Sequence, residues 1–384
     1  MRKIFKKILL SICKEINFLT QRKNSIKKNL IKNILVIQPG GIGDILRLFP
    51  ALEVISLNFP QASISVLVFP KVREVFELFP RKKVIKEVIE YEPEGKHKSI
   101  LKRFSLILSL RKKDYDLIYA PVRGRGTDGT MLMAFFIGAP YRIGFATRDT
   151  KGVLYTISTK FKGNLSITKQ NLLLLKAAGL EIKKETTELN ISKGEMLLVK
   201  NLINNYFPVI TLHFGANWQA KYRTWPIENY ISLIKHLLER RGAKVILIGG
   251  KAEIKIAERV CQKVKHNHLI NLVGKTTIPQ MTAIIKSSHL FIGNDSGPLH
   301  IAQLVGTPFV GIFGATSPIQ VLSHSTNTPK VILKPNLPCS PCYTHQEVFK
   351  PACKGKVECF KKITVEEVIK ATVYLLDRIR EEKS

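Results

Sequence analysis

Short apolar runs of strand length alternate with amphipathic stretches of helix length from Asn33 onward. In the first part of the chain, β-strands are predicted at residues 34–37, 64–69, 84–89 and 117–120, with helical stretches between them. A helix is predicted over 165–179, and residues 182–207 are a polar, weakly patterned stretch with one further helix. Strands that alternate with helices indicate a parallel sheet covered on both faces.

The same alternation starts again at Val209, with strands predicted at 209–213, 244–248, 291–292 and 309–313 and helices over 227–241, 252–264, 278–286 and 364–382. A length of 384 residues suits two domains of this kind. We therefore predict an α/β protein with two Rossmann-like domains, at 34–190 and 208–363, whose parallel sheets face a cleft. Residues 191–207 are the predicted linker region, and residues 364–384 are the predicted C-terminal helix.

The first 33 residues form a basic extension with ten Lys or Arg residues and one acid, Glu15. Ile4, Ile8, Ile12 and Ile16 recur at helical spacing. Such a basic amphipathic helix is typical of segments that lie on an anionic membrane surface. The alternatives are a solvated extension and a helix packed on the body of the protein.

Composition limits the classes of function. The chain is 45% hydrophobic, which is enough to bury two cores, and its formal net charge of +32 suits an anionic partner such as nucleic acid, an anionic membrane or a phosphorylated substrate. No apolar run reaches the roughly 18 residues needed to span a bilayer, and the start of the chain has no signal-peptide pattern. Stacking aromatic residues are not interleaved with the basic runs, so no nucleic-acid partner is expected.

Residues 291–313, FIGNDSGPLHIAQLVGTPFVGIF, read as a buried strand, a polar turn, a short helix and a second strand. Pro298 suits the first turn of the helix and Gly306 its end. Unpaired N–H groups and the helix dipole attract phosphate to a helix N-terminus, so the Asp295–Ser296–Gly297 turn is a candidate phosphate site. The alternative is an ordinary crossover helix with a capped end.

A glycine turn, PGGIGD, follows the first strand and contains Gly40, Gly41, Gly43 and Asp44. It is not a dinucleotide fingerprint, because Leu46 stands where the third glycine should be and no acid ends the second strand. Binding sites of open α/β sheets lie at the carboxyl ends of the strands. A carboxylate there, Asp44, is a candidate general base, and its alternative role is to stabilise the helix N-terminus.

The loop FGANWQAKYRTWP, residues 214–226, follows the first strand of the second half and carries Lys221 and Arg223 beside Trp218 and Trp225. Cations at that edge suit a diphosphate, and the alternative is a surface loop whose tryptophans cover the core. Glu253 follows the next strand and its glycine pair, where it could meet a ribose.

Four of the six cysteines cluster late in the chain, as Cys339, Cys342, Cys353 and Cys359, with His345 nearby. A CxxC pair followed by two more thiols is typical of a structural zinc knuckle. The spacing matches no standard zinc finger, so an iron–sulfur cluster, reduced thiols and a disulfide all remain open.

The segments ILVIQPGGIGD, LHFGANWQAKYRTWP, VILIGGKAE and FIGNDSGPLHIAQLVGTPFVGIFG, with the cysteine-rich tail, resemble glycosyltransferase family 9, the ADP-heptose:lipopolysaccharide heptosyltransferases. The resemblance covers residues 34–369, and NDSGPLH is its most specific part. It implies a GT-B fold, in which the first domain binds the acceptor and the second binds the nucleotide-sugar donor. It also implies an inverting transfer that needs no metal.

The resemblance also implies roles for individual residues. Asp44 matches the family's proposed catalytic base, Glu253 would contact the ribose, and Asp295 would hold the hydroxyls of the donor sugar. Ser296 and Gly297 would meet the diphosphate, whereas His300 in the same motif could be structural. Family members often have a diphosphate-binding lysine two residues before the Trp-Pro pair, where this chain has Arg223, so either Arg223 or Lys221 is expected to serve. A second departure is Phe214, where a proline is usual.

The predicted activity is transfer of a heptose or similar sugar from an ADP-sugar to an anionic lipopolysaccharide-core acceptor. The protein is expected on the cytoplasmic face of the inner membrane as a peripheral enzyme. The basic residues expected to contact the acceptor are Arg123, Arg125, Arg142 and Arg148. The alternatives are a UDP- or GDP-sugar donor for another surface glycan and, more remotely, a nucleic-acid-binding protein.

Overall fold

A computed structural model describes residues 26–123, 127–146, 152–203, 206–215, 224–322, 326–342 and 358–382. Contacts divide the chain into two compact units. Among the described residues, the first unit comprises those up to 76 and 81–187, and the second comprises 77–80 and those from 188 onward. Most of the predicted basic N-terminal extension lies outside the described residues.

The first unit contains a six-stranded parallel sheet in the order β3-β2-β1-β4-β5-β6. Its strands are β1 Asn33–Ile37, β2 Ser63–Val68, β3 Ile85–Glu90, β4 Leu117–Ala120, β5 Tyr141–Ala146 and β6 Ile157–Lys160. Its α-helices are α1 Ile42–Asn58, α2 Ile100–Arg111, α3 Thr127–Ile137 and α4 Ile167–Ala177, and 3₁₀ helices span Lys28–Leu30, Pro70–Leu78 and Lys82–Val84.

The second unit repeats this order as β9-β8-β7-β10-β11-β12, again with every pair parallel. Its strands are β7 Val209–His213, β8 Lys244–Leu247, β9 Leu269–Asn271, β10 Leu290–Asn294, β11 Phe309–Ile312 and β12 Lys330–Leu333. Its α-helices are α5 Lys193–Ile203, α6 Ile227–Arg241, α7 Ile254–Lys263, α8 Ile278–Ser287, α9 Gly297–Val305, α10 Pro318–Val321, α11 Glu358–Lys361 and α12 Val365–Glu381, with a 3₁₀ turn at Lys251–Glu253.

The shared strand order creates one topological switch point in each sheet. The chain begins each sheet in the middle, builds outward in one direction and then returns to build the other side, so that β1 lies beside β4 and β7 beside β10. Helices that follow the two central strands leave on opposite faces, because parallel crossovers are right-handed. The carboxyl ends of these central strands therefore border an open crevice, where α/β proteins bind their ligands.

Burial explains why the strands read as apolar runs. Every residue of β4, β7, β10 and β11 is buried, because helices cover both faces of the central sheet. The core of the second unit joins β7, β8, β10 and β11 to α6 and to the C-terminal helix α12. Trp225 lies in this core, fully buried, with its indole N–H donating to the carbonyl of Ile363.

The predicted central strands and the predicted helices are confirmed within a few residues. The sequence analysis missed β5, β6, β9 and β12. Of these, β6 alternates half-buried and exposed residues, and β9 and β12 have no fully buried position, so none of the three has a strong apolar pattern. None of the described helices is both long enough and apolar enough to cross a bilayer.

Candidate active site

Asp44 lies in the first turn of α1, directly after the carboxyl end of β1. Its Oδ2 accepts a hydrogen bond from the Gly41 N–H at 2.9 Å, and its Oδ1 pairs with the Arg47 guanidinium at 2.8 Å. The carboxylate thus stabilises the N-terminus of the helix, as one reading of the sequence expected. It also keeps 28% of its side chain exposed, whereas that of Arg47 keeps 10%. A substrate hydroxyl can therefore approach the carboxylate from solvent.

The glycine turn makes room for this carboxylate. A Cβ placed on Gly40 would stand 2.7 Å from the Asp44 Cβ and 2.8 Å from its Oδ2, which is closer than real side chains approach. Gly41 is less constrained, because its added Cβ would meet Asp44 Oδ2 at 3.8 Å, an ordinary contact. The first glycine is therefore required by the position of the aspartate.

Arg123 follows β4, the strand beside β1, at the same edge of the sheet. Its guanidinium donates to the Asn171 side-chain carbonyl at 3.1 Å and lies over the rings of Phe145 and Phe161. The Asn171 amide in turn donates to the main-chain carbonyl of Arg47, in the helix of Asp44, at 3.3 Å. The structure therefore links Arg123 to α1 through Asn171.

Arg142 lies elsewhere in the same unit. It is the second residue of β5, away from the carboxyl edge, and its guanidinium donates to the carbonyls of Leu154 at 3.0 Å and Ala139 at 2.6 Å. Burial lowers the pKa of Arg142. Arg142 therefore connects the main chain at Ala139 to the main chain at Leu154, and these contacts do not involve Asp44. Arg125 and Arg148 lie outside the described residues.

A chain of three side chains crosses the carboxyl ends of the central strands in the second unit. His213 ends β7 and is 5% exposed. Its Nδ1 lies 3.0 Å from the Ser296 hydroxyl, and its Nε2 lies 3.2 and 3.4 Å from the two carboxylate oxygens of Glu253. Because a carboxylate only accepts, Nε2 carries a proton. Ser296 then either donates to Nδ1 of a neutral imidazole or accepts from an imidazolium.

Glu253 is held ionised by this arrangement. Burial of the carboxyl opposes its ionisation, but the charge and hydrogen bond of His213 and the N–H of Gly250, 2.7 Å away, outweigh burial and lower its pKa. Side chains on Gly215 or Gly249 would overlap the carboxylate. The backbones of Gly215 and Gly249, after the ends of β7 and β8, therefore enclose the Glu253 carboxylate. Its two oxygens can accept further hydrogen bonds.

Ser296 is the N-cap residue of α9, but its side chain makes no capping hydrogen bond, because the hydroxyl is directed to His213. The neighbouring Asp295 is 6% exposed, and its carboxylate lies 3.4 Å from His300 Nε2, one turn into the helix. His300 therefore orients Asp295. The turn at the end of β10 thus combines a helix N-terminus, a hydroxyl and a carboxylate.

Asn294, the last residue of β10, joins this turn to both ends of the loop after β7. Its buried side-chain amide donates to the carbonyl of Phe214 at 3.2 Å and accepts from the main-chain N–H of Trp225 at 3.2 Å. Lys221, Arg223 and Trp218 lie between those ends and outside the described residues. Trp225 fits the alternative reading, in which a tryptophan of this loop covers the core.

The cysteine cluster is only partly described. Cys339 is exposed, Cys342 is half-buried and Cys359 is buried. Within the described part of the chain, no three side chains of the metal-binding types lie together. Cys353 and His345 lie outside that part, so the zinc knuckle stays a prediction, which metal analysis of the purified protein would test.

The sequence analysis missed several residues that organise these two edges, chiefly His213, Asn294, Asn171 and Arg47. His213 is the last residue of a predicted strand and Asn294 begins the polar turn after another, and those positions were the available signals. Asn171 and Arg47 lie on helices whose polar positions resemble an ordinary solvated face, so no local signal marks them.

Residues 103–353 match the sequence pattern of "Glycosyltransferase family 9 (heptosyltransferase)". The match spans more than half of the chain, and the two parallel sheets are those of a GT-B fold. The chain belongs to glycosyltransferase family 9, the heptosyltransferase family, and is a glycosyltransferase.

Individual relatives agree. The chain is 26% identical over 314 residues to lipopolysaccharide heptosyltransferase 2 of Escherichia coli K12. This match covers 78% of this chain and 88% of that protein. The structure of E. coli ADP-heptose lps heptosyltransferase II superposes with a TM-score of 0.69 at 22% identity, over 92% of this chain and all of that one. E. coli heptosyltransferase WaaC with ADP-2-deoxy-2-fluoro heptose gives a TM-score of 0.61 at 14% identity, over 92% and 100%.

Proposed function

We propose that this protein transfers a heptose from ADP-heptose to a lipopolysaccharide-core acceptor, with inversion and without a catalytic metal. The observation that carries the proposal is the Glu253–His213–Ser296 chain beside the N-terminus of α9. It combines an ionised carboxylate, a hydroxyl and helix amides at a switch point, which suits a nucleoside diphosphate.

Each part of the donor has a candidate partner at this edge. In the proposal, Glu253 accepts hydrogen bonds from the ribose hydroxyls, and the Ser296 hydroxyl and Gly297 amide donate to the diphosphate. Asp295, oriented by His300, accepts from the hydroxyls of the sugar. The WaaC structure with a fluorinated ADP-heptose supports an adenosine diphosphate donor for this fold.

The charge of the diphosphate requires cations, and the sequence supplies Lys221 and Arg223 in the loop whose ends bond to Asn294. An arginine can pair with two phosphate oxygens at once. In the proposal these side chains and the α9 amides stabilise the departing diphosphate. A well-placed hydrogen-bond donor lowers the free energy of such a transition state by about 3 kcal/mol.

Asp44 is the proposed general base. The acceptor oxygen forms a bond to the anomeric carbon while the bond from that carbon to the diphosphate oxygen breaks, and ADP leaves with the electron pair. The acceptor proton passes to the Asp44 carboxylate, which keeps a solvent-facing side while Arg47 and Gly41 fix its orientation. Attack from the face opposite the diphosphate inverts the anomeric configuration.

The acceptor is proposed to be an anionic glycolipid. Arg123 is a described cation at the edge that holds Asp44, and Arg125 follows it closely in sequence. Arg148 remains a proposed contact from sequence alone, whereas the main-chain partners of Arg142 remove it from our proposal. Because such an acceptor is embedded in a membrane, we propose that the enzyme works at the cytoplasmic face of the inner membrane.

Calorimetric titration with ADP-heptose and with UDP- and GDP-sugars, all in EDTA, tests the donor and the metal independence together. We expect ADP-heptose to bind the wild type and not Asp295→Ala, while Asp377→Ala, an exposed change in the same unit, binds normally. Preference for a UDP- or GDP-sugar would replace the donor, and binding only after addition of a divalent cation would contradict metal independence. NMR of the anomeric proton in the product tests inversion.

A further inference from the structure

Within the described part of the chain, helix α2 exposes an apolar surface. We infer that this helix and the lysines around it dock the enzyme on an anionic lipid surface, an inference that rests on the proposed transfer to a glycolipid. Ile100, Leu101, Phe104 and Leu108 are 83%, 81%, 52% and 44% exposed. Soluble proteins rarely expose four large apolar side chains on three successive turns of one helix without a partner for them.

The same helix is firmly attached to its own unit on the other side. Leu110 is buried in the core, Arg111 donates to the carbonyl of Phe136, and Arg103 donates to the carbonyls of His97 and Pro93. The exposed apolar residues therefore belong to a rigid element with one face packed. A rigid amphipathic helix of this kind can insert its free face among lipid headgroups and upper acyl chains.

Charge selects the type of surface. Residues 96–113 contain seven Lys or Arg residues and no acid. Lys98, Lys102 and Lys112 are exposed around the apolar residues, and the nearest exposed acids in sequence, Glu94 and Asp114, lie outside the segment. Each lysine near an anionic membrane contributes about 1 kcal/mol of attraction. The apolar residues and the lysines together fit an anionic bilayer.

The position of the helix fits the chemistry. It follows β3 and precedes β4 in a parallel sheet, so it runs from the carboxyl edge back to the amino edge. Ile100, Leu101 and Phe104 are in its first turns and hence toward the edge at which Asp44 lies. A membrane held by these residues would present the head of a glycolipid on the side of the sheet where the proposed base acts.

Two other occupants fit less well. A symmetric contact with a second copy would bring two such basic surfaces together, and like charges would repel. Residues 1–25 of the same chain contain seven basic residues and one acid, so charge does not favour them as a cover either. An anionic bilayer is the occupant that complements both the apolar and the basic character.

Flotation of the full-length protein with vesicles of phosphatidylcholine and phosphatidylglycerol, in a ratio of about 70 to 30, tests the inference. We expect binding that weakens with salt and falls at least about tenfold in Ile100→Ser/Leu101→Ser/Phe104→Ser. The triple substitution Lys98→Gln/Lys102→Gln/Lys112→Gln should lower the binding constant for the vesicles about a hundredfold at low salt, because each lysine contributes about fivefold. The controls, Leu197→Ser/Leu198→Ser and Lys235→Gln/Lys255→Gln/Lys263→Gln, alter exposed residues of the same types in the second unit and should bind as the wild type does.

An ADP-induced rise in Tm, measured for every variant, shows that each is folded and separates this inference from the proposed function. If ADP fails to stabilise even the wild type, the donor proposal fails while the flotation result stands. Unchanged flotation of both α2 variants would overturn the inference and assign membrane binding to another segment. A change from dimer to monomer by light scattering, without a change in flotation, would also overturn it and make α2 a contact between copies.

Discussion

Replacing Glu253 with glutamine tests how much the buried His213–Glu253 pair stabilises the second unit. The two side chains are 6% and 15% exposed, and His213 Nε2 lies 3.2 Å from the nearer carboxylate oxygen. The glutamine carbonyl can still accept from His213 or from the Gly250 N–H, but it does so without charge. The substitution therefore isolates the charge of the carboxylate from its shape.

The expected loss follows from the contacts. Hydrogen bonds to charged groups contribute about 1.5–3 kcal/mol each, against about 1 kcal/mol for neutral ones. Because one hydrogen bond persists in neutral form, Glu253→Gln should lower the free energy of unfolding of the second unit by about 2 kcal/mol at neutral pH. In a double-mutant cycle with His213→Asn, the coupling energy should be about 1–2 kcal/mol.

The loss should also depend on pH. The pKa of Glu253 is lowered in the folded protein, so its contribution is complete above the ordinary carboxyl pKa of 4.5 and disappears as pH falls through the folded value. The stability difference between wild type and Glu253→Gln should therefore shrink as pH falls below about 4.5.

Urea unfolding followed by tryptophan fluorescence measures these differences, because Trp225 is buried in the core of the second unit. The four proteins of the cycle are compared at neutral and at acid pH, and Glu228→Gln, on the surface of the same unit, serves as the control. A coupling energy below about 0.3 kcal/mol, or a loss that is the same at both pH values, would refute the reasoning.

Three further outcomes follow from the geometry. Asp44→Asn should lower kcat about 10²–10⁴-fold and leave the Kd for ADP unchanged, which steady-state kinetics and calorimetry check; near-wild-type kcat would remove Asp44 as the base. Gly40→Ala should also lower kcat, because its Cβ would displace the Asp44 carboxylate, and a normal pH–rate profile at full activity would contradict this. Arg123→Ala should raise the KM for the acceptor without changing ADP affinity, whereas a changed ADP affinity would contradict its assignment to the acceptor.

The central strands of both sheets could be predicted from the sequence because each is buried on both faces. A strand such as β7, with every residue buried, must be a continuous apolar run, and the glycine or polar turn after it marks its carboxyl end. The edge strands β6 and β12 bury only parts of their residues, so they carry no comparable signal. Burial does not account for every strand, because the edge strand β3 was predicted without a buried position and the interior strand β5 was missed despite four buried residues.

Candidate residues could be predicted where they sit in turns with unusual composition, as Asp44, Asp295 and Ser296 do. His213 could not be assigned a partner, because Glu253 is forty positions away and Ser296 is eighty-three away. The same holds for Asn171, which contacts Arg47 across 124 positions. Contacts of this range depend on the strand order, which the one-dimensional pattern does not specify.

The two hydrogen bonds of Asn294 have a consequence for protein engineering. They fix the start and the end of the segment between Phe214 and Trp225 on one buried side chain at the end of β10. A segment anchored at both ends can be exchanged for one of different length or composition while its attachment points are preserved. We therefore expect residues 216–223 to be replaceable by the corresponding residues of relatives without loss of the fold, provided that the graft keeps Asn294 and its two main-chain partners.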